Sequence, residues 1–170
     1  MREANADRMD DDTIHATAVA IGEKAVILRG PAGSGKSRLA FALINRGTPR
    51  TSHMLIGDDR IHACAANGRL VVSGHERVAG LIELRGAGII RLPFLARAVA
   101  GLVVDCHRAP ERLPEGALLW ADIRGVKLPR AFVDPTAGDA ADRVIALSAI
   151  ARDVNAWNRL GDPALFPYDD

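Results

Sequence analysis

The 170-residue chain has no excess of either charge: 22 Lys and Arg stand against 21 Asp and Glu, a net charge of +1. Its basic residues are scattered rather than gathered in a stripe. That gives no electrostatic footprint for nucleic acid and argues against a helicase or recombinase. Cysteine is scarce as well. Cys64 and Cys106 form no C-x-x-C pair, which fits a reducing cytoplasm. No apolar run approaches the roughly 18 residues needed to span a bilayer, so no membrane association is expected. Residues 1–12 hold no apolar segment of the signal-peptide kind. They read as a polar, charge-rich tail, with 13–170 as one domain large enough to fold without staples. Repeats and low-complexity segments are absent too.

Against this background one segment stands out. Gly30-Pro31-Ala32-Gly33-Ser34-Gly35-Lys36-Ser37 is a complete G-x-x-x-x-G-K-[ST] loop. The apolar run Ala25–Leu28 leads into it, and Leu39, Ala40, Phe41, Leu43 and Ile44 leave it at helical spacing, closed by Gly47. Strand, glycine loop and helix is the context a P-loop needs. Its backbone N–H groups can turn inward around phosphate oxygens, and the helix start adds positive dipole character there. Lys36 can reach the β- and γ-phosphates, and the Ser37 hydroxyl can hold Mg²⁺. An ordinary Gly-rich turn would not require both flanks. Nucleoside triphosphate binding is therefore expected.

Patterning predicts strands at 14–21 and 24–29 around Gly22-Glu23, and a helix to about Arg46. A loop at 48–53 precedes a short strand at 54–56. A hairpin follows at 60–65 and 69–73, turning at Asn67-Gly68. Further strands are expected at 81–85, 89–92, 98–105, 117–124 and 126–133, with a loop at 110–116. One last helix runs from about 139 to 160, with Val144, Leu147, Ile150, Ala151, Val154 and Trp157 on its apolar face. Strands dominate the middle, so the fold class is α/β, P-loop-containing and strand-rich, not the regular alternation of a doubly wound sheet.

A P-loop enzyme needs a further carboxylate for Mg²⁺, and a kinase needs a proton acceptor. Three apolar strands end in acids: Asp58-Asp59, Asp105 and Asp122. Strand-end aspartates are often mere turn residues. The adjacent pair Asp58-Asp59 is the unusual one, because two neighbouring carboxylates are costly without a cation. Glu83-Leu84-Arg85-Gly86-Ala87-Gly88-Ile89-Ile90 is the other unusual segment. On a strand, Glu83 and Arg85 would share a face. They could equally form a cross-strand ion pair beside a plain turn.

Taken together, these residues resemble the catalytic domain of HPr kinase/phosphorylase, in its short proteobacterial form. His15, the P-loop, Asp58-Asp59-Arg60-Ile61, the segment Glu83–Ile90 (resembling E-I-R-G-L-G-I-I) and Arg112-Leu113 follow in the family's order, over roughly residues 13–133. The resemblance implies a core similar to the nucleotide core of phosphoenolpyruvate carboxykinase. It implies a Mg-ATP-dependent serine kinase acting on the phosphocarrier protein HPr, and homo-oligomerisation. Lys36 and the loop Gly30–Ser37 would hold phosphates, and Ser37 and Glu83 would bind Mg²⁺. Asp59 would be the general base, or the acid of the reverse reaction. His15, Arg85 and Arg112 would line the site.

Two departures bear on activity. Ala87 stands where the family usually has leucine. The late family loop resembling I-P-V-R-P-G-R-N, tied to dephosphorylation, is here Ala131-Phe132-Val133-Asp134-Pro135-Thr136-Ala137-Gly138-Asp139, without either arginine. A site for inorganic phosphate should not lose its cations. Kinase activity with weak or absent phosphorylase activity is therefore expected. A nucleotide-sensing module without catalysis, or a kinase with another acceptor, is the alternative. His62, Cys64, Cys106 and His107 lack zinc-ligand spacing. Leu92–Leu95 with Arg91 and Arg97 would serve either a protein partner or the core edge.

Overall fold

The computed structural model describes residues 13–108, 114 and 116–160. Eleven strands form among the described residues: β1 (Thr13–Ile14), β2 (Thr17–Ile21), β3 (Lys24–Arg29), β4 (His53–Gly57), β5 (Ile61–Ala66), β6 (Arg69–Ser73), β7 (Leu81–Leu84), β8 (Gly88–Arg91), β9 (Arg97–Cys106), β10 (Trp120–Ile123) and β11 (Val126–Val133). Three helices accompany them: α1 (Lys36–Ile44), α2 (Ala140–Ile150) and α3 (Val154–Arg159). Nine strands make one mixed sheet in the order β1-β5-β6-β9-β3-β2-β4, with β11 joined to β9 and β10 to β11. β7 and β8 form a separate hairpin. The strand-rich α/β expectation holds.

β2 and β3 are buried on both faces, which is why they read as unbroken apolar runs. One face of the sheet packs Val26, Leu28 and Val104 against Leu39 and Leu43 of α1, Val144 of α2 and Trp157 of α3. The other face gathers Ala18, Ala20, Ile27, Ile61, Leu70 and Val103 into a second core. β3, β9 and β11 run parallel. Their C-terminal ends therefore open onto the same end of the sheet, where α/β folds place ligands.

Several boundaries differ from expectation. The strand expected at 14–21 is interrupted at His15-Ala16, because β1 pairs with β5 while β2 pairs with β3 and β4. The change of partner frees His15 from the ladder. The segment 117–124 opens with a 3₁₀ turn, Gly116–Leu119, and only Trp120–Ile123 is strand. The Leu119 carbonyl there accepts the Trp157 indole N–H at 2.9 Å. His53 belongs to β4, not to the loop before it. β7 stops at Leu84, leaving Arg85 in the hairpin turn. The single final helix is two helices. Asp153 is extended and caps α3, accepting from the amides of Asn155 and Ala156 at 2.9 and 3.2 Å. The break is too short to disturb the apolar period, so the spacing concealed it, although Val154 is exposed and only Trp157 reaches the core. No helix among the described residues is long and apolar enough to cross a membrane.

Candidate active site

β3 delivers the chain to Gly30, and α1 begins six residues later at Lys36. Gly35, at φ 102°, is the helix N-cap, and no side chain caps this end. The first amides of α1 are thus left for another acceptor. Gly33, at φ 78°, lies under Arg85; a Cβ there would sit 3.2 Å from Arg85 Nη2. The turn after β11 closes the loop's other side, with Pro135 Cγ 3.2 Å from where a Gly35 Cβ would be. Ser34 Oγ is buried without a hydrogen-bond partner. An orphaned hydroxyl in a glycine loop fits a phosphate-holding cradle.

Lys36 is buried, and its ammonium is fully engaged. Nζ donates to the carbonyls of Gly30 (2.8 Å) and Pro31 (3.0 Å), and lies 3.2 Å from His15 Nε2. With Nε2 accepting, the imidazole proton sits on Nδ1. Nδ1 lies 3.4 Å from Asp59 Oδ1. Lys36, His15 and Asp59 thus form one chain of contacts. Asp59 has φ 63°, and the Arg60 amide donates across it to the Asp58 carbonyl at 2.7 Å. This is a γ-turn of the rare positive-φ kind. Such strain collects at functional sites. Here it presents the Asp59 carboxylate to solvent, 80% exposed.

Asp58 points the other way. Its Oδ1 accepts from Ser37 Oγ (2.8 Å) and Thr17 Oγ1 (2.7 Å), and its Oδ2 from the Glu83 amide (3.3 Å). The two residues expected to hold Mg²⁺, Ser37 and Glu83, are thus joined by a carboxylate that sequence reasoning considered but did not assign. Hydroxyl and carboxylate oxygens are the donor set that Mg²⁺ takes. The other strand-end acids are accounted for otherwise. Asp105 is held by Arg29 and Arg130, and Asp122 accepts from the Gly125 amide in a turn.

A cleft of about 1150 Å³ contains the loop, Asp58, Asp59, Glu83 and Arg85. Arg77, Arg108 and Thr136 also line it; neither arginine carried a signal in the sequence, whereas Thr136 belongs to the altered late loop. Arg108 follows β9 and Thr136 follows β11, so the parallel strand ends bring them to the loop. The Thr136 hydroxyl and amide donate to Asp134 at 2.6 and 2.8 Å. Those bonds, with a smaller effect of Arg108, hold the Asp134 carboxyl below its ordinary range. Burial pushes the nearby Cys106 thiol up to about 12, so it stays a thiol. Arg112 lies outside the described residues. The candidate zinc residues are not assembled: no group of three His, Cys, Asp or Glu placed for a metal ion occurs among the described residues. Leu92–Leu95 is pinned to β4, with Leu55 bonded to Pro93 and Leu95, while Phe94 remains exposed.

The family model of the HPr serine kinase C-terminal domain matches residues 8–96. HPr kinase/phosphorylase of Clostridium tetani is 34% identical over 82 residues, covering 48% of this chain and 25% of its own length. The protein of the same name from Clostridium botulinum (strain Eklund 17B) is 35% identical over 86 residues, covering 50% of this chain and 27% of its own. The chain thus spans about a quarter of the length of these curated relatives. Among solved structures, the HPr(Ser) kinase/phosphatase from Coxiella burnetii matches with a TM-score of 0.68 at 28% identity, over 82% of this chain and 95% of that one.

Proposed function

Because the chain belongs to the HPr serine kinase C-terminal domain family, we propose that it is an ATP- and Mg²⁺-dependent kinase phosphorylating a seryl residue of HPr. The presentation of Asp59 on a strained turn, beside His15 and facing the glycine-loop cleft, carries this reading. A serine hydroxyl is a poor nucleophile, and a placed carboxylate raises the rate about a hundredfold to ten-thousandfold. Asp59 takes the hydroxyl proton as the serine oxygen bonds to the γ-phosphorus. The bond from that phosphorus to the bridging oxygen breaks, and ADP leaves. His15 holds Asp59 in place. The Lys36 ammonium exchanges loop carbonyls for phosphate oxygens. Gly30–Ser37 cradles the phosphates, with Arg85 over Gly33. Ser37, Asp58 and Glu83 would hold Mg²⁺, which when bound neutralises charge on the transferring phosphoryl group. Arg112 belongs to the proposal as a further cation at the transferring group.

Phosphorylase activity is proposed to be weak or absent, since the turn after β11 offers Asp134 and Thr136 where inorganic phosphate would need cations. The likeness to a phosphoenolpyruvate carboxykinase core, a cytoplasmic location and homo-oligomerisation belong to the same proposal. The altered late turn also favours a second reading, a nucleotide sensor that no longer transfers phosphate. Mixing the protein with HPr, ATP and Mg²⁺ and weighing intact HPr decides between them. One phosphoryl group gained on serine, and lost with Asp59→Asn, supports the kinase. ATP binding without transfer to HPr supports the sensor or another acceptor.

A further inference from the structure

Thr17 is one of three polar or charged side chains buried among the described residues, with Lys36 and His53, and it is buried completely. A hydroxyl taken out of water costs free energy unless it is bonded. The Thr17 hydroxyl donates to Asp58 Oδ1 at 2.7 Å. Its oxygen accepts from the Asp59 amide in a longer contact, 3.5 Å. A hydroxyl has one proton and two lone pairs, so both are made at once. One side chain therefore reaches both residues of the acidic pair, Asp58 at its carboxylate and Asp59 at its backbone.

The backbone on both sides supports that reach. Thr17 opens β2 just after the break at His15-Ala16, and it pairs with Leu28 of β3, close to the start of the glycine loop. Toward β4 the register shifts: Ala18 faces Gly57 and Val19 faces Leu55, so Ile56 is an extra, bulged residue. A bulge bends its strand and re-aims side chains, and bulges gather beside active sites. Here the bulged strand leads straight into Gly57-Asp58-Asp59. Gly57 is tightly packed as well, since a Cβ there would lie 2.9 Å from Ile61 Cγ2 and 3.0 Å from Gly74 Cα. The chain is held immediately before the acids, and Thr17 holds it again at them. Asp58 Oδ1 is shared between Thr17 and Ser37. When the Ser37 oxygen turns to a cation, the Thr17 bond still keeps the carboxylate in place. Groups that orient a metal ligand weigh nearly as much as the ligand itself. The positive φ at Asp59 needs a similar hold, because a strained turn persists only where its surroundings over-determine it.

We propose that Thr17 is a positioning residue whose hydroxyl sets the Asp58 carboxylate beside Ser37 and the Asp59 turn beside His15, so that one side chain aligns the cation site and the proton acceptor. The inference rests on the kinase reading for Asp59 and on the Mg²⁺ assignment for Asp58. The test compares Thr17→Val, which keeps the shape and removes the hydroxyl, with Thr17→Ser, which keeps the hydroxyl. Binding of ATP to the whole chain is measured by calorimetry across Mg²⁺ concentrations without HPr, and kcat for transfer to HPr is measured at saturating Mg²⁺. In Thr17→Val the half-saturating Mg²⁺ concentration should rise about tenfold or more. Its kcat should fall about tenfold or more, because a displaced acceptor stays displaced when the cation site is full. Thr17→Ser should bring both back to within about threefold of the natural chain. Should Thr17→Val not fold, Thr17→Ala against Thr17→Ser gives the same comparison. An unchanged Mg²⁺ requirement and kcat without the hydroxyl overturn the proposal. So does an equal loss in Thr17→Val and Thr17→Ser that follows a lowered melting temperature, which would make Thr17 a packing residue alone. If the natural chain binds Mg-ATP and transfers nothing to HPr, the kinase reading falls, and the Mg²⁺ requirement still decides for or against Thr17.

Discussion

Asp58 and Asp105 both end apolar strands near the glycine loop, and their surroundings differ in one respect. Asp105 receives two guanidinium groups: Arg29 at 2.8 and 3.0 Å and Arg130 at 2.6 Å. Arg130 is further fixed over the Phe132 ring, 4.6 Å from its centroid. Among the described residues Asp58 receives only neutral donors, two hydroxyls and an amide. A carboxylate met by cations is a brace whose charge is spent. One met by neutral donors keeps its negative charge and is open to a metal ion. Strand-end position alone does not separate these cases; the partners do.

Of the two, breaking Asp58 should have the larger effect on chemistry. Asp58→Asn should lower Mg²⁺-dependent phosphoryl transfer about 10²–10³-fold while leaving the melting temperature nearly unchanged. Full activity with the usual Mg²⁺ dependence would remove Asp58 from the cation site. Asp105→Asn should show the opposite profile. It leaves two partly exposed guanidinium groups without their carboxylate, at a cost of about 1–2 kcal/mol after allowing for solvent screening. The melting temperature should then fall by about 2–6 °C, with transfer intact at low temperature. An unchanged melting curve would show that the brace is dispensable. A finer cut is the cycle of Asp105→Asn with Arg130→Gln, read by denaturant unfolding. The pair should be less costly than the sum of the single changes, by about 0.5 kcal/mol or more; strict additivity would mean that the two side chains do not share their energy.

The last expected effect is silent at neutral pH and appears only in alkali. Burial raises the Cys106 thiol from 9.0 to about 12, against the opposing Lys36 charge and with a smaller rise from Asp105. Above pH 9 the unfolded thiol loses its proton while the folded one keeps it, so folding stability falls as pH rises from about 9 to 12. Cys106→Ala should flatten that alkaline limb, measured by unfolding at several pH values. An equally steep limb in the variant would assign the loss to other groups.

Much of the site was legible because it is local. Gly30–Ser37 is contiguous, and its flanking strand and helix carry their own periods. The adjacent acids Asp58 and Asp59 were conspicuous, yet their opposite orientations were not. That depends on a γ-turn with φ 63° at Asp59 and on hydroxyls 41 and 21 residues away, at Thr17 and Ser37. Arg108 and Thr136 reach the cleft only because β3, β9 and β11 run parallel, a pairing no local pattern encodes. The end of α2 could have been read from Asp153, a favourable cap residue, had the apolar period not run through it.

The posture of Lys36 has a consequence of its own. With three donors placed on Gly30, Pro31 and His15, the ammonium ties the two ends of the glycine loop together and joins them to the segment between β1 and β2. On the proposed reading, a nucleotide entering the cleft would trade one set of bonds for another. Under the proposed kinase reading, only the surplus of that trade would appear as affinity, and phosphates would be bound and released without the loop being rebuilt.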